Sequence, residues 1–228
     1  MTYRTIERRL PRFLRTYLLH FESAIEQAVT RFSSELAPNA LVLDAGAGEM
    51  QHSQFFARQL YIAVDLAVGD PAWDYGKLHA IADLTALPFR DSTFDACINI
   101  VTLEHVREPA CALREIARTL KPGGRLLLIV PHEWEVHQAP NDYFRYTRHG
   151  IAYLLEKAGL SDFEIEPVGG YFRLQSRRLL NGLQFFKGPW FFVAALFLGP
   201  PALIMPWFDS LDHDRNFTLG YICSAKKS

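Results

Sequence analysis

The stretch Leu41–Met50, LVLDAGAGEM, decides how the rest of the chain is read. An apolar run ends in an acid, and two glycines spaced by one residue follow at once. Such a run is a buried strand, and Gly46 and Gly48 remove side chains where backbone and a ligand must come close. The next segment, QHSQFFARQL, is expected as a helix that offers its N-terminus to a polar ligand. YIAVDL then reads as a second strand ending near Asp65, 19 residues after Gly46. An acid at that place can take both hydroxyls of a ribose. Strand, glycine loop, helix, strand and acid together describe a nucleoside-type site.

Working outward, the same rhythm continues. HAIAD is a short third strand, FDACINI a fourth, PACALREIARTL a helix with Pro109 in its first turn, and RLLLIVP a fifth strand after a KPGG turn. RHGIAYLLEKAGL is a helix ended by Gly159, DFEIEPV a sixth strand and TLGYICSA a seventh. Short apolar strands alternating with helices imply a parallel sheet covered on both faces, with ligands beyond the carboxyl ends of the strands. Ahead of it, residues 5–35 read as amphipathic helix with Leu14, Leu18, Phe21, Ile25 and Ala28 on one stripe. The chain divides into an N-terminal helical cap, 1–36, and a domain, 37–228.

The 228 residues are 49% hydrophobic and carry a net charge of −1, which supports a sizeable core and gives no nucleic-acid signature. Arg4, Arg8, Arg9, Arg12 and Arg15 stand against Glu7 alone, as a solvated helix face or as an attraction for an anionic surface. Three cysteines at unrelated spacings, Cys97, Cys111 and Cys223, suit reduced thiols and a cytosolic compartment. The basic start runs into amphipathic sequence, not into the apolar core of a signal peptide.

The ligand at the glycine loop is not a pyrophosphate. A dinucleotide fingerprint needs a third Gly or Ala where Gln51 stands, and the Asp44 carboxylate would repel a phosphate arriving there. This disfavours a nicotinamide-dependent oxidoreductase. No Walker loop follows either. A cationic ligand suits Asp44.

In order from Ala40 to Pro131, VLDAGAG, VDL, ADLTALPFRDSTFDACINIVTLEHV and REIARTLKPGGRLLLIVP resemble the successive motifs of class I S-adenosylmethionine-dependent methyltransferases. The similarity is greatest to the small-molecule group that includes the ubiquinone and menaquinone enzymes. It implies an α/β, Rossmann-like, seven-stranded and mostly parallel sheet with helices on both faces and an antiparallel last strand. It implies S-adenosyl-L-methionine as cofactor, with S-adenosyl-L-homocysteine as product. Asp44, Ala45, Gly46 and Gly48 would surround the methionine part, Asp65 and Leu66 the ribose, and Asp83 and Leu84 the adenine. Asn99, Ile100 and Val101 would pass close to the methionine moiety. Met50 departs from the pattern, since many members carry a further glycine there.

Methyl transfer needs alignment, worth about 7–11 kcal/mol, and at times a base worth roughly 10²–10⁴-fold. The acceptor side is expected in the loop after the fifth strand, PHEWEVHQAPNDYFRYTRHG, where His132 and His137 are the candidate bases. Tyr143, Arg145 and Tyr146 are further acceptor-side residues, Arg145 also serving to tie loop to sheet. HEWEVH does not place two histidines four apart on one helix face, His105 reads as structural or cofactor-lining, and no metal is expected.

One segment stands outside the rhythm. Gly188–Phe208 holds no charged residue, yet Pro189, Pro200, Pro201 and Pro206 interrupt it. It is long enough to span a bilayer, but a single crossing would separate the seventh strand from its sheet. The reading is an apolar helical hairpin inserted at about 174–210, turned at GPP, with Trp190 and Trp207 flanking it and Arg173, Arg177, Arg178 and Lys187 ahead of it. It would meet one membrane leaflet, cover a greasy acceptor or pair with a second copy as a homodimer. The functional expectation is a methyltransferase for a small apolar or lipid-linked acceptor, cytoplasmic and peripheral at the inner membrane face, without nucleic acid. The rival is a non-catalytic cofactor-binding scaffold or partner subunit.

Overall fold

The computed structural model describes residues 17–70 and 72–228, so the arginine cluster and Leu14 lie outside the described residues. The chain forms two compact units. One is Gln27–Glu166 with Tyr221–Ser228, the other Pro167–Gly220 with the described residues up to Glu26. The division between the units falls inside the first described helix, α1 (His20–Glu35).

The first unit is built on one sheet. Its strands are β1 (Leu41–Ala45), β2 (Leu60–Asp65), β3 (Ala80–Ile81), β4 (Phe94–Ile100), β5 (Leu120–Pro131), β6 (Leu160–Val168) and β7 (Gly220–Lys227). They lie in the order β3-β2-β1-β4-β5-β7-β6. β1 to β5 pair in parallel, with Asp44 opposite Ala63 of β2 and Ile98 of β4. The last strands run antiparallel. β5 starts earlier than expected, because the KPGG turn sits in it as a bulge between the Phe94–Leu120 and Ala96–Arg125 pairs.

Alternation along the strands sends residues to opposite faces. Leu43, Ala45, Cys97, Leu126, Leu128 and Cys223 are buried in one core with Leu113 and Ile116 of α2 (Pro109–Thr119) and Ile151 and Leu155 of α3 (Arg148–Lys157). Val42, Ile98, Leu127 and Ile129 are buried on the other face. Arg125, on that face, stacks over Phe32 of α1 at 5.0 Å and pairs with Glu35. The buried stripe of α1 runs through Phe21, Val29 and Phe32, while Ile25 and Ala28 are half-buried.

The segment after the glycine loop corrects the expected helix. Ser53–Phe56 is one short 3₁₀ turn. Met50 takes a positive φ of 58°, and the turns that follow close from residue i to i−3, as Ser53 N to Met50 O and Phe55 N to His52 O. A left-handed residue at that point stops an α-helix from starting. The segment after the loop therefore offers it no α-helix N-terminus.

The second unit contains α4 (Tyr171–Gly182) and α5 (Pro189–Ile204), followed by a 3₁₀ segment Met205–Leu211. The expected turn at GPP is absent: Pro200 and Pro201 lie inside α5, so the hairpin partner of α5 is α4. Each interior proline removes an N–H from the carbonyl four residues back. Near the end of α5, Ser176 Oγ of α4 donates to Ala202 O at 2.6 Å. Buried Asp209 holds the start of α4 by accepting from Gly170 N and Arg173 N at 3.1 and 3.0 Å. Arg173 pairs with Asp209 and Arg177 with Glu22, so both charges have partners inside this unit.

Candidate active site

The strand order reverses between β1 and β4, and the crevice there is where open parallel sheets bind ligands. Asp44, Gly46, Gly48, Asp65, Asn99, Val101 and Thr102 come together at this carboxyl edge. Gly46 N and Ala47 N both donate to Val64 O, at 2.8 and 3.0 Å, turning the loop sharply over β2. Gly46 has φ +91° and Gly48 φ +50°. β4 grips the loop from the other side. Asn99 Nδ2 donates to Ala45 O at 2.6 Å, and Thr102 Oγ1 lies 3.1 Å from Gly46 O and 3.0 Å from Ile100 O. Val101 bends the end of β4 with φ 49°.

Asp65 accepts from Gly48 N at 2.9 Å and Ala67 N at 2.8 Å, one bond to each oxygen. Each oxygen keeps a lone pair for a hydroxyl. Asp44 is buried, and burial pushes its carboxyl up to about 7, the Tyr61 hydroxyl that donates to it working the other way and the Asp65 charge adding to the rise. Tyr61 is itself raised, by burial and by Asp44. A buried acid of this kind is stabilised in its charged form by a cation, which fits a sulfonium carrying an ammonium group and not a phosphate. The orphaned, buried Asn99 Oδ1 fits the same polar group.

The remaining expected residues are distributed unevenly. Asp83 caps its own turn, accepting from Thr85 N and Oγ1 at 2.8 and 2.7 Å. The Leu84 side chain belongs to the core and Leu66 is exposed at the rim. Trp73 was not anticipated. Its ring stands over Gly48 and Gly69, where an added Cβ would come within 3.2 and 2.9 Å of it, and Tyr75 lies beside it. Nothing in the spacing of WDYG marks it, because the contact depends on how the loop after β2 folds back.

In the loop after β5, His132 Nδ1 lies 2.8 Å from Tyr146 O. A carbonyl only accepts, so the neutral ring carries its proton on Nδ1 and presents a lone pair at Nε2. Among the described residues no protein group hydrogen-bonds that nitrogen, as a base requires. His137 differs: Nε2 faces Glu104 at 3.6 Å and Nδ1 faces Glu135 O at 3.1 Å and Asp142 at 3.6 Å. Burial lowers its basicity, but Glu104, Glu135 O and Asp142 more than offset this and hold it above the usual histidine value. Both nitrogens are thus turned to the protein and away from an acceptor.

Arg145 donates to Asp142 through both terminal nitrogens, at 2.6 and 2.8 Å, and to the carbonyls of Trp134, Glu135 and Phe144. It closes the loop on itself. Tyr146 is buried, with its hydroxyl on Leu103 O at 2.9 Å, and leaves the acceptor side for the core. Tyr143 OH donates to Asn141 Oδ1 and accepts from Arg107 Nε, each at 2.9 Å.

Replacing Asp65 by alanine removes an acceptor for ligand hydroxyls and two backbone bonds of the loop. Affinity for S-adenosylhomocysteine is expected to fall by roughly 1–3 kcal/mol, the scale for hydrogen bonds to a charged group. Calorimetry checks this, and unchanged affinity would remove Asp65 from the site.

Residues 43–128 match a family described as methyltransferase domain. Demethylmenaquinone methyltransferase of Mycobacterium marinum is 35% identical over 103 residues, 43% of this chain and 45% of that protein. The chain spans less than half the length of the curated relatives it matches first. In fold it is similar to the cyclase SpnF, with TM-score 0.57 and 23% identity over 87% of this chain and 80% of that one. It is also similar to 1,6-didemethyltoxoflavin-N1-methyltransferase of Burkholderia thailandensis, with TM-score 0.55 and 18% identity over 95% and 85%. A cyclase among the neighbours shows that the fold does not fix the chemistry. Residues 43–128, with the glycine loop between two strand-end acids, thus match a methyltransferase domain, set in a sheet of the Rossmann-like methyltransferase order.

Proposed function

We propose that the chain transfers a methyl group from S-adenosylmethionine to a small apolar or lipid-linked acceptor, working as a cytoplasmic protein at a membrane surface. The observation that carries the first half is Asp44, a buried carboxyl at the mouth of a glycine loop with no cationic partner among the described residues. When bound, the cofactor supplies a methyl carbon activated by a positive sulfur. Asp44 would hold the cationic end, Asp65 the ribose hydroxyls, and the bends at Gly46 and Val101 keep side chains out of the way. His132 Nε2 is the group poised to take a proton from an O–H or N–H acceptor. Calorimetry with S-adenosylmethionine, S-adenosylhomocysteine and NAD tests the cofactor. Transfer of labelled methyl onto a lipid extract tests the reaction, and binding without transfer would favour the non-catalytic scaffold.

The lipid half rests on α5 and the segment after it. Pro189–Leu211 is long and apolar enough to cross a membrane, with mean hydropathy 1.8. Only Ala194 and Ala202 of α5 are buried, whereas Trp190, Phe192 and Trp207 are 69%, 74% and 72% exposed. The apolar side chains project all round, and tryptophans stand at both ends, as at a bilayer interface. Carbonyls freed by Pro200 and Pro201 favour the hydrated interfacial zone over the hydrocarbon centre. Burying a Trp or Phe is worth about 1.5–3 kcal/mol. The triple change Trp190→Ser, Phe192→Ser, Phe197→Ser is therefore expected to weaken partition into phospholipid vesicles by roughly 100-fold or more. Wild-type protein that stays in the supernatant of a vesicle sedimentation assay would end this half of the reading.

A further inference from the structure

Three side chains converge with their facing atoms left without hydrogen bonds among the described residues. Glu104 and His105 lie in the short 3₁₀ turn after β4, and His137 lies in the loop after β5. Glu104 is fully buried, and neither of its carboxylate oxygens has a hydrogen bond. His105 Nε2 and His137 Nε2 are also buried and without a hydrogen bond. They stand 3.7 and 3.6 Å from Glu104 Oε1, beyond hydrogen-bond range, and donor atoms of all three residues lie within 4.8 Å of one another. The two imidazoles meet edge to face at 4.7 Å.

The other ring nitrogens explain the orientation. His105 Nδ1 is 2.6 Å from Asn141 O, and His137 Nδ1 is 3.1 Å from Glu135 O. A backbone carbonyl fixes the proton on Nδ1 and turns the Nε2 lone pair inward. Arg145 Nη2 also approaches His137 Nδ1, at 3.4 Å, but the carbonyl is nearer. With both rings neutral, two lone pairs and a carboxylate point at one spot. Left so, they repel, and a buried carboxylate stays unsatisfied, a costly state. Either a metal ion or a proton on His137 Nε2 relieves it. Carbonyl-anchored histidines with their far nitrogens converging on a carboxylate are the arrangement of a metal site. Donors on a tetrahedral ion with bonds of about 2.0–2.1 Å lie roughly 3.3 Å apart, so the 3.6 and 3.7 Å to Glu104 and the remaining separations, all within 4.8 Å, would tighten around an ion.

We propose that Glu104, His105 and His137 bind one zinc ion, with the second oxygen of Glu104 completing the set. Imidazole and carboxylate suit Zn²⁺, whereas Mg²⁺ and Ca²⁺ prefer all-oxygen sites. The ion clips the loop that carries His132 to the end of β4, and its burial makes it a positioning device. One-helix spacing did not reveal it, because the donors come from two segments 32 residues apart.

The test uses full-length protein purified without a metal-affinity tag. After chelator treatment and dialysis against Zn²⁺, plasma mass spectrometry is expected to find about one zinc per chain, and the thermal midpoint to rise by several degrees over the chelated protein. Cobalt in place of zinc should give the intense visible bands of a tetrahedral site. His137→Ala and His105→Gln should each lose the metal and the midpoint rise. Should both variants fail to fold, the cobalt spectrum of the wild-type protein decides. Zinc below a tenth of an equivalent, no cobalt bands, or an equal zinc response in a folded His137→Ala protein would overturn the site. In that event a protonated His137 beside Glu104 is what joins the loop to the sheet.

Discussion

Gly46→Ala is expected to destabilise the protein by roughly 2–5 kcal/mol and to abolish binding of S-adenosylmethionine. Two costs add. An L-residue at φ +91° costs about 1–2 kcal/mol, and forcing a methyl into a filled site costs about 1–3 kcal/mol. The site is filled by Thr102, whose Cγ2, Oγ1 and Cβ would lie 2.2, 2.7 and 2.8 Å from the new carbon. Rotating Thr102 offers no escape, because Oγ1 sits on the Gly46 and Ile100 carbonyls and the Cβ contact persists. Gly123 separates the terms. It has φ +74° and nothing within 4 Å of an added Cβ, so Gly123→Ala should show the backbone cost alone. Thr102→Gly in the Gly46→Ala background should recover the steric part. Thermal unfolding of the four proteins checks the ranking, and equal midpoints for the two alanine variants would refute the contact.

The second large effect is the pH dependence of Asp44. Its carboxyl titrates near 3.8 in an unfolded chain and about 7 in the folded one. A raised value means that the folded state holds its proton more tightly. This contribution to stability is complete below pH 3.8, is lost as pH rises toward 7, and is gone above it. At 1.36 kcal/mol per unit the difference is about 4 kcal/mol, an order-of-magnitude figure for a fully buried group. Asp44→Asn, which keeps an acceptor for Tyr61, should therefore unfold at higher temperature than wild type at pH 8, the gap narrowing toward pH 5. Binding runs the other way. A cationic ligand needs the carboxylate, so wild-type affinity for S-adenosylmethionine should rise roughly tenfold from pH 6 to pH 8. The asparagine variant should bind weakly at both. A wild-type affinity that is flat with pH would mean that Asp44 does not face the cation.

The crevice was legible in sequence because its parts are local. An apolar strand that ends in an acid and glycines needs no distant partner to announce itself, and Asp65 follows at the end of the next apolar run, 19 residues after Gly46. The sheet was legible for the same reason, since buried parallel strands are continuous apolar runs such as FDACINI and RLLLIVP. The helix expected after Gly48 failed because one residue, Met50, adopts a left-handed conformation that periodicity does not reveal. The turn expected at GPP failed because propensity yielded to packing: α5 runs through Pro200 and Pro201 and packs along α4.

The sequence by itself determined the parallel sheet, the acid–glycine edge and the nature of the apolar segment, each set by local composition and spacing. Only the tertiary structure decided the rest. It withdrew Arg145 and Tyr146 into the loop and core, set Trp73 over the glycines, and brought His137 to Glu104 and His105. Those contacts join segments far apart in the chain. Their geometry is fixed by strand order and loop closure, which residue spacing does not encode.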